Sequence, residues 1–371
     1  MVRKKPKIVI VGAGPIGCYL AQLLKERGFS PLLIEEHEEL GRPVHCAGLV
    51  GKKVIDEIQI PFPRNCIINI INGGVVHLGK NSITLRREGV AYVIDREKFD
   101  KAMGKNLNII FGTKYLGIEE KEKYIIETDK GELEADIVIG ADGASSSVRN
   151  FVIPDKQISF LKGVQFRIKN DVFQKDMAEV FVRKPYFYWV IPEKDHTVRL
   201  GVLSQAPYHD LLEFIKERKL KGEILEKFGG LVTLTHFSPL NRKKAFLVGD
   251  SAAQIKPLSY GGIYMGMKAA EILADCISKE KYSDYSYLWA KKFGREIDLS
   301  LRARDIFQKM TDEELKEIFS FAKRKALFIE QKGNFENHSS LFREFLKNPS
   351  TSKEMAGILL KIIKADFRES I

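Results

Sequence analysis

The sequence predicts a mixed α/β protein: a Rossmann-like domain, interleaved with an antiparallel-sheet domain and followed by a helical C-terminal region. Three observations carry this. A strand, a GxGxxG turn, a helix and a second strand ending in an acid fill residues 8–35. Two further strands ending in Gly and Asp recur in residues 136–149 and 245–263. Residues 157–204 alternate apolar and polar side chains, the two-residue period of half-buried strands.

The first segment has a specific physical reading. Lys7-Ile8-Val9-Ile10-Val11 is a buried parallel strand, and Gly12-Ala13-Gly14-Pro15-Ile16-Gly17 follows at once. Gly12 permits the tight turn, and Gly14, next to Pro15, lets backbone approach a pyrophosphate. Gly17 allows close helix–strand packing, and the helix N-terminus over Cys18–Lys25 attracts the negative charge. Pro31–Glu35 gives the second strand, and the Glu35 carboxylate stands where it accepts ribose hydroxyls. An acid there favours a free 2′-hydroxyl, hence FAD or NAD over NADP.

The later segments choose between these. Ala135–Ile139 is again a buried strand, leading into Gly140-Ala141-Asp142-Gly143-Ala144-Ser145-Ser146-Ser147-Val148-Arg149. Asp-Gly-x-x-Ser-x-x-Arg after a strand resembles the Asp-Gly motif of flavoprotein monooxygenases and their reductase relatives. Gly143 permits an awkward turn and Ser146 caps the next helix. Ala245-Phe246-Leu247-Val248-Gly249-Asp250 then runs into Pro257-Leu258-Ser259-Tyr260-Gly261-Gly262-Ile263 and a helix over Tyr264–Ser278. This resembles the Gly-Asp motif of the same class. The resemblance implies that Asp250 contacts the ribityl chain and that the Pro257 to Gly262 turn lies along the flavin ring. Amides at Gly261, Gly262 and Ile263 would face the pyrimidine edge, where fixed dipoles stabilise negative charge. Three such matches in order imply FAD and a hydroxylase-type member of the glutathione-reductase superfamily.

After Glu35 comes Gly41-Arg42-Pro43-Val44-His45-Cys46-Ala47-Gly48. Its Cys-Ala-Gly resembles the geranylgeranyl reductase family, which saturates isoprenoid double bonds in archaeal lipids and phytyl precursors. Asp95-Arg96-Glu97-Lys98-Phe99-Asp100 matches that family's Asp-Arg-x-x-Phe-Asp element. Its PxxYxWxFP signature is degenerate in Pro185-Tyr186-Phe187-Tyr188-Trp189-Val190-Ile191-Pro192: Phe187 takes the Tyr position, Ile191 the last Phe, and the first Pro is displaced by one. The resemblance implies that Arg42, Ala47, Gly48 and Arg96 lie by the FAD and that His45, Tyr186, Phe187, Tyr188 and Trp189 line the substrate. Cys46 or Tyr260 would relay a proton. The reaction implied is two half-reactions: a donor reduces FAD, and hydride and a proton then saturate an alkene. The substrate would be an isoprenoid lipid or an isoprenoid quinone. The donor would be ferredoxin or NAD(P)H, and with no second GxGxxG unit no separate NADPH domain is expected. Two alternatives share the motifs: an FAD monooxygenase acting on an apolar or aromatic substrate, and a non-catalytic flavin-binding redox or lipid-carrier protein.

The chain has 371 residues, 44% of them hydrophobic, enough for two domains. The expected FAD-binding domain comprises residues 1–60, 91–155 and 240–283. Residues 61–90 and 156–239 form the substrate domain, and 284–371 the helical region. Residues 207–228 read as one or two helices broken near Gly222. The net charge of +11 suits anionic partners such as nucleotides, phosphates or anionic lipid, as well as plain solubility. No basic run with interleaved aromatics marks a nucleic-acid binder. Cys18, Cys46, Cys66 and Cys276 form no CxxC pair, so no metal site is expected, and their scatter suits a reducing cytoplasm. The charged fraction, rich in Lys and Glu, suggests a thermophilic source. No stretch reaches the roughly 18–20 apolar residues needed to span a bilayer. The apolar Met355–Ile363, flanked by Lys353, Lys364 and Arg368, suits either a membrane surface or packing on the domain, so peripheral membrane contact stays open.

Overall fold

The fold follows from one fully apolar strand. In the computed structural model, which describes residues 5–154, 158–170, 173–348, 351–354 and 357, Ile8–Val11 is wholly buried. It pairs in parallel with Ile137–Gly140 on one side and Leu32–Ile34 on the other. Ala245–Leu247 and Asn108–Ile110 extend the sheet in parallel beyond these, and Asn241–Arg242 closes one edge antiparallel. Strands covered on both faces need no polar alternation, which is why these read as continuous apolar runs. Parallel pairing also brings all their C-terminal ends to one edge, so Gly12, Glu35, Ala141 and Val248 emerge side by side. The helix Pro15–Glu26 packs on Ile263–Ser278. A small antiparallel sheet of Tyr115–Glu120, Tyr124–Thr128 and Gly131–Ala135 stands apart.

These elements belong to the first of two compact units, drawn from residues 1–67, 94–161 and 230–295. The second is drawn from residues 68–93, 162–229 and 296–371. Its sheet runs Ile224–Thr233, Phe160–Lys169, Thr197–Ser204, Tyr186–Pro192, Ala178–Arg183, Ile67–Leu78 and Asn81–Ile94 as successive neighbours. The ladders among Phe160–Lys169, Thr197–Ser204, Tyr186–Pro192 and Ala178–Arg183 are antiparallel, whereas Ala178–Phe181 runs parallel to Gly74–His77. The helix Pro207–Glu217 covers one face, burying Phe166, Phe181, Tyr188, Val190, Leu200, Leu211 and Phe214 in a common core. The opposite face follows from the register. Val76, Val180, Trp189, Gly201 and Gln165 form one transverse row, and on the same face Val182 lies opposite Phe187 and Gly163 opposite Leu203.

The helical expectation for residues 207–228 fails in its second half. The helix ends at Glu217, and Ile224–Thr233 is an edge strand. Gly222 turns the chain back at φ +156°, where a methyl group would lie 1.9 Å from the Lys169 carbonyl oxygen. The Lys169 amide then donates to Glu223 O at 3.0 Å and starts the pairing.

Further on, Arg295–Lys309, Asp312–Arg324, Ala326–Lys332 and Ser339–Lys347 are helices with a core of their own at Met310, Phe321 and Phe345. Thr311 caps one of them by accepting from Glu314 N at 3.2 Å, and the Glu314 carboxylate accepts the Thr311 amide in return. The expected apolar segment Met355–Ile363 falls outside the described residues apart from Gly357. No described helix is long and apolar enough to cross a membrane.

The Trp189 indole lies flat over Gly201, where an added methyl group would sit 2.3 Å from the ring, and its Nε1 donates to Gln165 Oε1 at 2.9 Å. Gly201→Ala therefore overpacks this row and lowers stability by about 1–3 kcal/mol in denaturant titrations. An unchanged midpoint would show that the indole is not held there.

Candidate cofactor and catalytic site

At the sheet edge, backbone meets backbone. Gly12 takes φ +97°, and a methyl group on it would lie 2.5 Å from the Ala141 carbonyl oxygen. A methyl on Gly17 would lie 2.1 Å from Gly12 O, so the helix beginning at Pro15 packs directly against the turn. Gly14, its N-cap residue, has nothing within 4 Å of its missing side chain. No acidic residue and no side-chain cap occupies this helix's first turn, so its N–H groups stay directed at the cradle. Glu35 braces the turn: Oε2 accepts the Ala13 amide at 2.7 Å, and Oε1 pairs with His37 Nδ1 at 2.6 Å.

Asp142 closes the cradle from the neighbouring strand. Its Oδ2 accepts the Ser147 and Val148 amides at 2.8 and 3.2 Å, while Oδ1 is buried with no partner. Burial pushes this carboxyl above the usual aspartate range, although the hydrogen bonds from the Val148 and Ser147 amides work the other way. Gly143 takes φ +77° with open space beside it, and Ser146 Oγ accepts the Arg149 amide at 3.0 Å.

The Gly-Asp segment arrives alongside. Gly249, at φ +73°, and Gly266 both abut Ile16, which seats this segment on the first helix. The Asp250 carboxylate crowds Gly262, where a methyl group would lie 2.6 Å from Oδ1. Burial raises the Asp250 carboxyl too, with Arg96 opposing. Between Pro257 and Ile263 the turn is closed by Lys256 N to Gly261 O at 3.1 Å and Tyr260 N to Lys256 O at 2.8 Å. Tyr260 sits at φ +61°, a strained conformation for a residue with a side chain. Ile263 starts a 16-residue helix with no side-chain cap and no acid in its first turn.

The Cys46 loop joins the same unit. Cys46 is half-buried, and its sulfur accepts the Gly48 amide at 3.3 Å. Gly48, at φ +65°, is tied by its carbonyl to Ile94 N at 2.8 Å. Arg96 donates to both Asp100 carboxylate oxygens, at 3.1 and 2.9 Å, and its charge opposes the rise at Asp250. Arg42 is exposed and engaged by Glu97 at 2.8 Å, and His45 is exposed beside Ala47.

The aromatic signature lies in the second unit, where the pleat splits it. Phe187 and Trp189 share the face away from the helix, their rings 6.3 Å apart. Tyr188 does not: it is buried on the helix side, stacked on Phe214 at 4.5 Å, and Tyr186 shares its side of the strand.

Sequence reasoning gave no task to Arg149, the last residue of its own quoted motif. The guanidinium is 2% exposed and donates to Ser251 O at 3.1 Å and Ala144 O at 2.6 Å, stapling the Asp142 segment to the Asp250 segment. Ser251 Oγ donates to Gly140 O at 2.7 Å, and Gln254 Oε1 accepts the Gly249 amide at 2.7 Å. The motif's Arg was the one signal for this network.

A cradle without side chains, a helix N-terminus, an orphaned buried carboxylate oxygen and a second uncapped helix suit a flavin dinucleotide with its diphosphate and ribityl chain. Residues 10–50 match the NAD(P)-binding Rossmann-like domain family. The sequence is 31% identical to an uncharacterized protein of Methanocaldococcus jannaschii, over 94% of this chain and 96% of that protein. It is 28% identical to the digeranylgeranylglycerophospholipid reductase of Methanothrix thermoacetophila, over 84% of this chain and 90% of the relative. A geranylgeranyl bacteriochlorophyll reductase-like structure from Thermoplasma acidophilum has the same fold, with a TM-score of 0.75 at 20% identity, covering 96% of this chain and 99% of that one. Motifs, cradle and relatives agree: the chain belongs to the geranylgeranyl reductase family of FAD-dependent oxidoreductases, and its cofactor is FAD.

Proposed function

We propose that this protein saturates carbon–carbon double bonds of a geranylgeranyl-type isoprenoid lipid. The observation that carries the reading is Cys46 of the Cys-Ala-Gly segment, half-buried with its sulfur accepting the Gly48 amide at 3.3 Å, in the same unit as Asp250 of the Gly-Asp segment. Relatives named as digeranylgeranylglycerophospholipid reductases support the substrate class. Reduced FAD supplies the hydride when bound.

The chain's own residues do the rest. The turn at Gly12–Gly17 and the helix from Pro15 hold the diphosphate. Asp142 and Asp250 accept hydroxyls that replace lost water. Amides at Gly261, Gly262 and Ile263, at a helix N-terminus, stabilise negative charge on the ring. Cys46 donates the proton that completes saturation, and Tyr260 is the second candidate donor. Phe187 and Trp189 offer apolar surface to the isoprenoid chain, whose remote contacts offset the entropy of ordering it.

Anaerobic assay of the dithionite-reduced holoenzyme tests this directly. Geranylgeranyl glycerophospholipid added under argon should gain two mass units per saturated bond as the flavin reoxidises. Cys46→Ser should slow reoxidation by about 10²–10⁴-fold, the usual share of a positioned general acid. Product that forms only with oxygen and carries a hydroxyl would instead make the protein a monooxygenase. No reoxidation by any isoprenoid lipid or quinone would leave a flavin carrier.

A second test concerns the cradle. A carboxyl whose pKa rises on folding stabilises the fold below its ordinary range, and that contribution is lost as pH climbs through the raised value. Asp142 is such a group. Flavin-free Asp142→Asn should therefore melt higher than the flavin-free parent at about pH 8, with the gap closing toward about pH 4. The same variant should bind FAD about tenfold more weakly in fluorescence titrations. Tighter FAD binding would remove Asp142 from the site.

A further inference from the structure

One buried charge in the cofactor turn takes no part in the steps just described. Lys256 is 5% exposed, and a lysine seldom gives up so much water. Its backbone closes the turn that carries Gly261 and Gly262. The Lys256 amide donates to Gly261 O at 3.1 Å, and its carbonyl accepts from Tyr260 N at 2.8 Å. The side chain folds back across the same turn. A methyl group on Gly261 would lie 3.0 Å from Lys256 Cε and 3.4 Å from Nζ. The ammonium thus lies against Gly261, one residue before the N-cap of the helix Ile263–Ser278.

Two penalties meet at this position. Burial disfavours the charged form of a lysine. A helix N-terminus is the positive end of the helix dipole, and it repels a cation. No acid in the helix's first turn offsets this. The next glycine, Gly262, abuts the Asp250 carboxylate, whose own charge burial also disfavours. An apolar side chain would fill the space beside Gly261 at neither cost. An anion bound along the turn converts both repulsions into attraction. Reduction of FAD supplies one. The oxidised ring is neutral at its pyrimidine edge, and two-electron reduction places negative charge there. A fixed cation at that edge binds the reduced ring more tightly than the oxidised one.

We propose that Lys256 is the cation that stabilises reduced FAD, and so sets how readily the cofactor accepts electrons from the donor. The inference rests on the Pro257 to Gly262 turn lying along the flavin ring, as proposed above, and not on the identity of the lipid. The amides of Gly261, Gly262 and Ile263 supply partial charges, and Lys256 adds a whole one behind them. Lysine suits the task because its charge is compact and sits on a flexible stem that can fold into a tight turn.

The test uses holoenzyme and needs no lipid. Lys256→Met keeps an unbranched stem and removes the charge, and Lys256→Arg keeps the charge. Equilibration with a reference dye under argon gives the two-electron midpoint potential of bound FAD, and fluorescence titration gives the affinity for oxidised FAD. We expect Lys256→Met to weaken reduced FAD about tenfold relative to oxidised FAD, a fall of about 30 mV in potential. Lys256→Arg should stay within about threefold of the parent ratio. A ratio within about twofold of the parent in Lys256→Met, with FAD retained, would overturn the proposal, as would an equal fall in both variants. Should Lys256→Met not retain FAD, Lys256→Gln decides by the same thresholds. A lowered potential in a protein that reduces no isoprenoid lipid would keep this role for Lys256 and overturn the substrate reading. An unchanged potential in an active lipid reductase would do the reverse.

Discussion

The site depends on main chain touching main chain. Where Gly12 meets Ala141, and Gly17 meets Gly12, no side chain fits. This contact sets the distance between the first strand's turn and the turn after Ile137–Gly140, and so the width of the cradle. Parallel pairing makes the contact possible, because it delivers both strand ends to one edge in register, Val11 opposite Gly140. Asp142 then stands at the cradle's rim through the same constraint, and Arg149 with Ser251 fixes the third segment against the second. The dinucleotide cradle is thus a property of the backbone, with side chains acting mainly as staples.

This explains what the sequence disclosed. Requirements on backbone leave a mark, since glycine is nearly the only residue that fits, and spacing along one strand–turn–helix preserves the mark. Gly12, Gly17, Gly249 and Gly262 were legible for that reason, as were the strands that carry them. Contacts between distant stretches leave no such mark. The bond from Arg149 to Ser251 joins residues 102 apart in the chain, and no local pattern announces it. The Arg96–Asp100 pair is local, yet its spacing is that of any surface helix pair, so only its burial sets it apart.

Two misreadings have equally physical causes. Residues 224–228 carry enough charge and enough apolar residues to suit a helix, but Gly222 folds the chain onto Lys169 and the edge of a sheet then captures it. Tertiary pairing overrode local preference. In Tyr186–Pro192 the aromatics read as one patch, although a strand sends alternate residues to opposite faces. Tyr188 became core, stacked on Phe214, and only Phe187 and Trp189 remained on the other face. A motif that reads as a unit along the chain is two half-motifs in space, one holding the helix on the sheet and one holding the surface.

The polar half of the site follows a different logic from its backbone. A protein that binds no cofactor would have every reason to pair or remove a buried carboxylate oxygen, yet Asp142 Oδ1 has no partner. Asp250 is similarly pushed toward its neutral form by burial, and the positive charge opposing this is Arg96. The fold carries these penalties at the positions where a ribityl chain or a diphosphate-linked ribose would bring hydroxyl donors. Binding then returns the missing hydrogen bonds, so affinity for the cofactor and relief of the fold's own strain are the same free energy. Arg96 belongs to the same balance, because its charge moderates Asp250 while its fork is held by both Asp100 oxygens, at 3.1 and 2.9 Å.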